Sequence, residues 1–259
     1  MIKPVLTLIL ITAFAAVPQA QSSPPQIGAV VQTWHYDPTS NTVTLRILNT
    51  SGKDITAWDI KIKETYANGV NEHNYSTDLL QLMLNVQDAG ADGEWLRQQF
   101  GNGTFQAGTS RDEILHVQPA LKNYEATMDA VIYADKTAET TDQSALDRAV
   151  TARKVAASTM QQANEIIKRA LANSQDASPH EAAAKQIGEL RGKWEAQHHA
   201  TPLDAGVLHA VLTDLKNVPI ISTQQNTNAA AYLSDYVARK GHRAAVLLEH
   251  ATPKVGGAQ

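Results

Sequence analysis

The spacing of the apolar residues changes once along the chain, near Asp135, and this change constrains the fold class. Before it, apolar and polar residues alternate, as at Val43, Leu45 and Ile47, which is typical of strands with one buried face. After it, apolar residues recur every three or four positions, which indicates amphipathic helices. Strands followed by helices predict an α+β protein, with an antiparallel β-sandwich before an α-helical region.

Turn signals divide the alternating half into short strands. Asp37-Pro38, Ser51–Asp54 and Asn68-Gly69 separate them, and Asn-Gly favours a hairpin because both residues tolerate positive φ. The segment Leu79–Val86 fits either a strand or a short helix. We predict strands around residues 29–36, 43–47, 58–62, 70–76, 104–107, 113–117 and 128–134.

Three segments of this half resemble a known group of proteins. They are Asn49–Gly69 (NTSGKDITAWDIKIKETYANG), Gly108–Val117 (GTSRDEILHV) and Asp129–Glu139 (DAVIYADKTAE). They are similar to uncharacterised secreted bacterial proteins with an immunoglobulin-like β-sandwich followed by a helical region. The resemblance implies that fold over about Val30–Arg153 and an exported location, and it implies no catalytic residues. Because the chain has no cysteine, it lacks the disulfide of antibody domains.

Capping signals divide the helical half. Thr140 and Gln143 have the spacing of a capping box, and Ser178-Pro179 and Thr201-Pro202 each place proline at the first helical position. Pro219 predicts the end of the third helix. We predict helices over residues 140–172, 178–199, 201–217 and 229–240, the last of which either stops at Gly241 or resumes to Glu249.

A row of alanines runs along one face of the first of these helices, and alanine allows another helix to approach closely. That neighbour is either a helix of the same chain or a second protein. The row is therefore the candidate surface for a protein partner or for self-association. It consists of Ala149, Ala156, Ala163 and Ala170.

The first residues have the features of a secretory signal peptide. Lys3 supplies the positive charge, and Val5–Val17 is apolar apart from two threonines. This run is shorter than the ~20 residues that a membrane-spanning helix needs. Cleavage after Ala15, Ala20 or Ser22 fits the small residues that follow, and the alternative is an uncleaved anchor. We predict a protein secreted or periplasmic after cleavage, with no membrane span in the mature chain.

These observations divide the chain into four predicted segments and exclude several function classes. The segments are a signal peptide (residues 1–22), an immunoglobulin-like sandwich (27–136), a helical region (137–250) and a flexible tail (251–259). The net charge of −4 does not provide the positive field that nucleic-acid binding requires, so no nucleic-acid partner is expected. The lack of cysteine excludes disulfides, thiol nucleophiles and cysteine-ligated metals.

No segment has the complete spacing of a catalytic, cofactor or metal motif. Gly188–Lys193 has one residue too few between its glycines for a phosphate loop, and Asp88–Gly93 begins like a calcium loop whose twelfth position is Gln99 instead of glutamate. The best candidate metal ligands are histidines on two predicted helices, where the helix geometry keeps them too far apart to bind one ion. We therefore predict no catalytic, cofactor-binding or metal-binding residues. The candidate ligands are His198, His199 and His209, with Asp204 nearby.

The sequence therefore predicts an exported, non-catalytic binding or scaffolding protein. The alternative is a secreted hydrolase with a site at the junction of sandwich and helices, where Asp112, Glu113 or His116 would approach the helical histidines. A carbohydrate-binding accessory protein is a further alternative, with Trp95 in a glycine-rich loop as the candidate platform. Trp34 and Trp58 lie in strand patterns and are predicted to belong to the core.

Overall fold

The computed structural model describes residues 27–85, 103–173, 178–196 and 202–255. Strands precede helices, so the α+β prediction is confirmed. The predicted signal peptide (1–22) and the last four residues of the predicted tail lie outside the described residues. Across the described ranges, no helix is both long enough and apolar enough to span a membrane.

The described residues contain eight strands in two sheets. The strands are β1 (Ala29–Asp37), β2 (Thr42–Asn49), β3 (Ile55–Tyr66), β4 (Gly69–Asp78), β5 (Ser110–His116), β6 (Asn123–Tyr133), β7 (Thr137–Thr140) and β8 (Lys254–Val255). The small sheet has the order β1-β2-β5 and the large sheet the order β4-β3-β6-β7-β8. All neighbours are antiparallel except β7 and β8, which pair in parallel. Strand β8 lies in the segment predicted as tail.

The inner faces of the two sheets share one apolar core. Val43, Leu45 and Ile47 of β2 meet Ile60 and Ile62 of β3, and all five side chains are fully buried. Their alternation with polar residues is the pattern that predicted these strands. Burying each such side chain contributes about 1.5–3 kcal/mol, so this layer is a main source of stability for the sandwich.

The two strand tryptophans differ in burial. Trp58 on β3 is 2% exposed, which confirms it as a core residue. The prediction that Trp34 belongs to the core is wrong, because this side chain is 42% exposed. Trp34 lies on β1, which has a register irregularity after Val31 and, among the described residues, a neighbouring strand on one side only. Its ring lies 5.7 Å from that of Tyr124.

Five helices are described: α1 (Leu79–Asn85), α2 (Gln143–Ala172), α3 (Pro179–Ala196), α4 (Pro202–Gln224) and α5 (Ala229–Glu249). The ambiguous segment after β4 is helical, and Asp78 accepts a hydrogen bond from the Gln81 N–H at 3.1 Å at its start. The N-cap of α2 is Asp142, which accepts from the Ser144 N–H, and the predicted capping box at Thr140 is wrong. Thr140 belongs to β7, where its hydroxyl donates to the Asp129 carbonyl instead.

Tertiary burial overrides the helix end predicted at Pro219, and the alternative left open at Gly241 is decided in favour of a helix that reaches Glu249. α4 continues through Pro219 to Gln224, because Val218 and Ile221 on either side of the proline are buried in the helical core. α5 continues through Gly241, where an added Cβ would lie 3.6 Å from Asn164 Nδ2, which is an ordinary packing distance.

The predicted strand at 104–107 is reduced to a single bridge between Ile55 and Phe105.

Helix α2 joins the two halves. Its first turns cover the outer face of the large sheet, and its remainder packs against α3, α4 and α5. The alanine row lies in these two contacts, so the surface suspected of binding a partner is buried within the chain itself. The sheet contact consists of Ala57, Ala130, Ile132 and Ala138 against Ala145, Leu146 and Ala149, and the helical core contains Ala156, Ala163 and Ala170.

Candidate functional site

A pocket of about 420 Å³ lies where the sandwich meets the helices, and we call it the junction pocket. Two sheet edges border it, because β4 is the first strand of the large sheet and β5 the last of the small one. Helices α1 and α2 contribute Leu82, Ala149 and Ala152. The pocket therefore needs both halves of the chain.

A chain of hydrogen bonds crosses the pocket from one sheet to the other. The Tyr75 hydroxyl of β4 donates to Glu113 Oε2 of β5 at 2.9 Å, and Arg111 Nε donates to Glu113 Oε1 at 2.6 Å. Burial raises the pKa of Tyr75 to about 12, so the phenol stays protonated at neutral pH and acts as a donor. Both oxygens of the buried Glu113 carboxylate thus have partners, which removes the main cost of burying it.

Trp58 supplies an aromatic surface beneath this chain. The Arg111 guanidinium lies 5.6 Å from its ring centre, and Phe105 approaches edge-on at 5.8 Å. A cation at this distance from the face of tryptophan is attracted by the ring quadrupole. Within the described part of the chain, the buried indole N–H of Trp58 has no hydrogen-bond partner, although the side chain lines the pocket. Trp58 is therefore both a core residue and part of the candidate site.

A buried arginine of α2 forms hydrogen bonds that hold the helices against the pocket. Arg153 of α2 donates from Nε to Asp78 Oδ2 at 2.5 Å and from Nη2 to Asp78 Oδ1 at 3.3 Å. It also donates to Thr56 Oγ1 and to the His250 carbonyl at the end of α5. One side chain thus holds β3, β4, α2 and α5 together. Asp78 lines the pocket, so this contact fixes its wall.

The structure does not bring the candidate hydrolase residues together in one site. Glu113 lines the junction pocket, but the Asp112 side chain is 45% exposed and pairs with Arg46 at 2.8 Å. Neighbouring strand residues point to opposite faces, which places Asp112 on the outer face of β5. His116 is exposed at the end of β5. No histidine is among the described residues that line the pocket.

The suspected metal ligands do not form a site in the described part of the chain. His209 is exposed on α4, while His198 and His199 lie outside the described residues, as does the side chain of Asp204. Among the residues that the structure describes, no group of three or more histidine or acidic side chains could hold a metal ion. Trp95 and the calcium-like segment Asp88–Gly93 also lie outside them. Gly188–Lys193 lies within α3, where it is helix instead of a phosphate-binding loop.

The sequence predicts Glu113 for a site at the junction and Trp58 for the core, whereas it does not predict that Tyr75 and Arg111 take part in a site. Tyr75 and Glu113 are 38 residues apart, and they meet because β4 and β5 border the same side of the sandwich. The sequence of β4 shows no apolar alternation, because Val70 and Tyr75 are five residues apart, so it reveals neither which residues face inward nor which strand lies opposite. The order of strands in the sheets is the missing information.

A comparison with models of protein families finds no match, and a comparison with curated proteins finds none. Among solved structures, a hypothetical protein from Peptoclostridium difficile 630 is similar over 47% of this chain and 89% of its own, with 12% sequence identity and a TM-score of 0.27. A likeness at this TM-score establishes neither the fold nor the function of this chain.

Proposed function

We propose that this protein is an exported, non-catalytic binding module whose ligand site is the junction pocket. The observation that carries the proposal is the pocket itself, where two sheet edges and two helices enclose about 420 Å³. Ligand sites in proteins commonly enclose about 300–1,000 Å³, with mostly apolar walls and a few fixed polar groups. Here Trp58, Leu82 and the alanines of α2 are the apolar part, and Tyr75, Arg111 and Glu113 are the polar part.

The state of the ionisable groups favours binding over catalysis. A general acid or base needs a proton position that the substrate can reach. Glu113 already accepts from Tyr75 and Arg111, and Asp78 accepts from Arg153 and the Gln81 N–H. These pairs make rigid, neutral walls, which suit recognition of a ligand without transfer of a proton.

Export and an immunoglobulin-like fold are parts of the same proposal. The apolar run Val5–Val17 after Lys3 supports export to the periplasm or the medium. The strand order β1-β2-β5 facing β4-β3-β6-β7 supports an immunoglobulin-like arrangement in which the fourth strand joins the sheet of the third. Sandwiches of this kind host many unrelated functions, so the pocket and not the fold carries the functional inference.

Chemical crosslinking followed by affinity capture tests the binding function. The mature protein is used as bait on an envelope extract and on the culture medium of the source organism. Ala152→Trp fills the pocket from α2, and Thr151→Trp is the matched control, because Thr151 is the exposed neighbour on the same helix and does not line the pocket. We expect a reproducible ligand that is captured by the wild type and by Thr151→Trp but is lost with Ala152→Trp.

Equal capture by all three proteins would overturn the assignment of the ligand to this pocket. Capture of nothing above background, in either the extract or the medium, would overturn the binding function itself. The thermal unfolding midpoints of both variants are compared with that of the wild type, so that loss of folding is distinguished from loss of binding.

A secreted hydrolase at the same junction, or a carbohydrate-binding accessory protein, is the second candidate function. The hydrolase is favoured by the buried Glu113 carboxylate in the pocket wall. Carbohydrate binding is favoured by the exposed Trp34 ring, which lies on β1 and does not line the pocket. Hydrolysis of a panel of chromogenic ester and glycoside substrates that is lost in Glu113→Gln would support the hydrolase. Retention on immobilised glycans that is lost in Trp34→Ala would support carbohydrate binding.

A further inference from the structure

The junction pocket surrounds the edge of β4 that faces away from β3. Four successive residues of this strand, Tyr75 to Asp78, all line it. Successive side chains of a strand point to opposite faces of the sheet, so a pocket on one face would contact only every second residue. A pocket that contacts all four must enclose the edge of the strand, where backbone groups are presented.

Among the described residues, the backbone at this edge has no partner strand. Over the ranges that the structure describes, β4 pairs with β3 and with no other strand. In an antiparallel pair, every second residue directs its N–H and C=O away from the partner strand. These groups form a template for a further strand, as at any sheet edge without a neighbour.

The pocket beside β4 has a volume of about 420 Å³ and is lined from two sides. On one side are Arg111 and Glu113 of β5, and on the other are Ala149 and Ala152 of α2. Neighbouring strands of a sheet lie about 4.8 Å apart, and short alanine side chains keep the helix from filling that space. Peptides that add a strand to a sheet edge gain affinity from backbone hydrogen bonds and specificity from pockets for alternate side chains.

We propose that the β4 edge binds an extended peptide segment of a partner protein as an additional strand, with uncharged side chains of the peptide in the junction pocket. The uncharged character follows from the walls, where Glu113 is paired with Arg111 and Asp78 with Arg153. A charged side chain would lose its hydration there without gaining a counter-ion. Trp58 and Leu82 favour apolar groups instead. This inference rests on the proposed binding function and specifies its ligand.

Selection from a phage-displayed library of linear twelve-residue peptides tests the proposal on the mature protein. We expect enriched peptides with a short run of uncharged residues. We expect their affinity to fall at least tenfold with Ala152→Trp and to change less than twofold with Thr151→Trp. A library without enriched binders, or binders indifferent to Ala152→Trp, would overturn strand addition.

N-methylation of the best peptide, one backbone nitrogen at a time, tests the mode of binding. A peptide that pairs with one sheet edge directs alternate N–H groups to that edge, so we expect large losses of affinity with a period of two residues. Hydrogen exchange of the complex should show new protection of amides between Tyr75 and Asp78. A three-to-four-residue period, or protection confined to the helices, would contradict a strand and indicate a bound helix.

The two proposals fail in different ways. If capture from the extract depends on Ala152 but neither a peptide nor β4 protection is found, the pocket binds a ligand of another class, and only the strand inference fails. If capture does not depend on Ala152, the assignment of the pocket fails as well.

Discussion

Arg153 is a buried side chain that links the sandwich to the helices. It is fully buried, it pairs with Asp78, and it also donates to Thr56 and to the His250 carbonyl. Removing one partner of a buried ion pair leaves the other charge uncompensated, at a cost of about 3–5 kcal/mol. We expect Arg153→Ala to lower the free energy of unfolding by about that amount, as measured by urea denaturation.

The matched control for this substitution is Arg46→Ala. Arg46 also makes two hydrogen bonds to one aspartate, Asp112, but both side chains are about half exposed. Exposed pairs typically contribute about 0–1 kcal/mol. Similar losses in the two variants would contradict the role of Arg153 as the buried link between sheet and helices.

His250 is expected to make the stability depend on pH. Burial, and then the nearby positive charges of Arg153 and Lys136, lower its pKa below the ordinary 6.5, against the opposing charges of Glu249 and Asp78. The unfolded chain therefore binds a proton at a higher pH than the folded chain does. The contribution of neutral His250 to stability is complete above about pH 6.5 and is lost as the pH falls through the lowered folded-state pKa.

The difference between the wild type and His250→Gln isolates this effect from the other titrating groups. We expect urea midpoints of the wild type to fall more steeply than those of the variant from about pH 6.5 downward. Parallel midpoint curves in that range would contradict the assignment. Replacement of the buried ring can shift the whole curve, so the slope and not the absolute midpoint is compared.

Helix α4 retains Pro219 in its interior at an energetic cost. Proline lacks the N–H for an internal helical hydrogen bond and costs about 3 kcal/mol relative to alanine there. The Pro219 side chain is exposed, so replacing it creates no cavity. We expect Pro219→Ala to raise the free energy of unfolding by up to about 3 kcal/mol, part of which is offset by greater freedom of the unfolded chain.

Pro202 at the first position of the same helix provides the control. A proline there sacrifices no internal hydrogen bond, and its fixed φ suits the start of a helix. We expect Pro202→Ala to leave the unfolding midpoint in urea nearly unchanged. If Pro219→Ala also left it unchanged, the continuous helix through residue 219 would be contradicted.

The alanine row of α2 allows close packing inside the chain, and overpacking tests this. Adding methylenes to a well-packed core typically costs about 1–3 kcal/mol. We expect Ala163→Leu to lose about that much stability in urea denaturation, whereas Gln162→Leu on the exposed face should change it little. A row that instead mediated self-association would alter the elution volume of Ala163→Leu in size-exclusion chromatography without lowering its stability.

At the scale of elements, the spacing of apolar residues predicts strands and helices that have one buried face, but it does not predict features that depend on contacts between distant segments. The strands β2 and β3 and the long helix α2 follow from spacing, because each has a buried face along its whole length. The continuation through Pro219 does not, because the burial of Val218 and Ile221 depends on helices elsewhere in the chain. The junction pocket likewise depends on β4 and β5 bordering one side of the sandwich, and no local pattern encodes that order.

At the scale of the whole molecule, the two halves share contacts that neither can make alone. The outer face of the large sheet buries Ala57, Ala130 and Ile132 against the first turns of α2. Arg153 links the same sheet to the end of α5, and β8 returns from the C-terminal side to pair with β7. A sandwich without its helices would expose an apolar face and lose the partner of Asp78. The halves should therefore unfold together.

Two probes that report on different halves test this cooperativity. In Trp95→Phe/Trp194→Phe, the remaining Trp34 and Trp58 lie on β1 and β3, so fluorescence follows the sandwich while ellipticity at 222 nm follows the helices. We expect the two denaturation curves to coincide, as they do in a two-state transition. When Arg153→Ala is added to this variant, we expect them to separate, because the buried link is removed. Separate curves in the parent variant would show that sandwich and helices are independent domains, and a ligand pocket formed by both would then lack a stable wall.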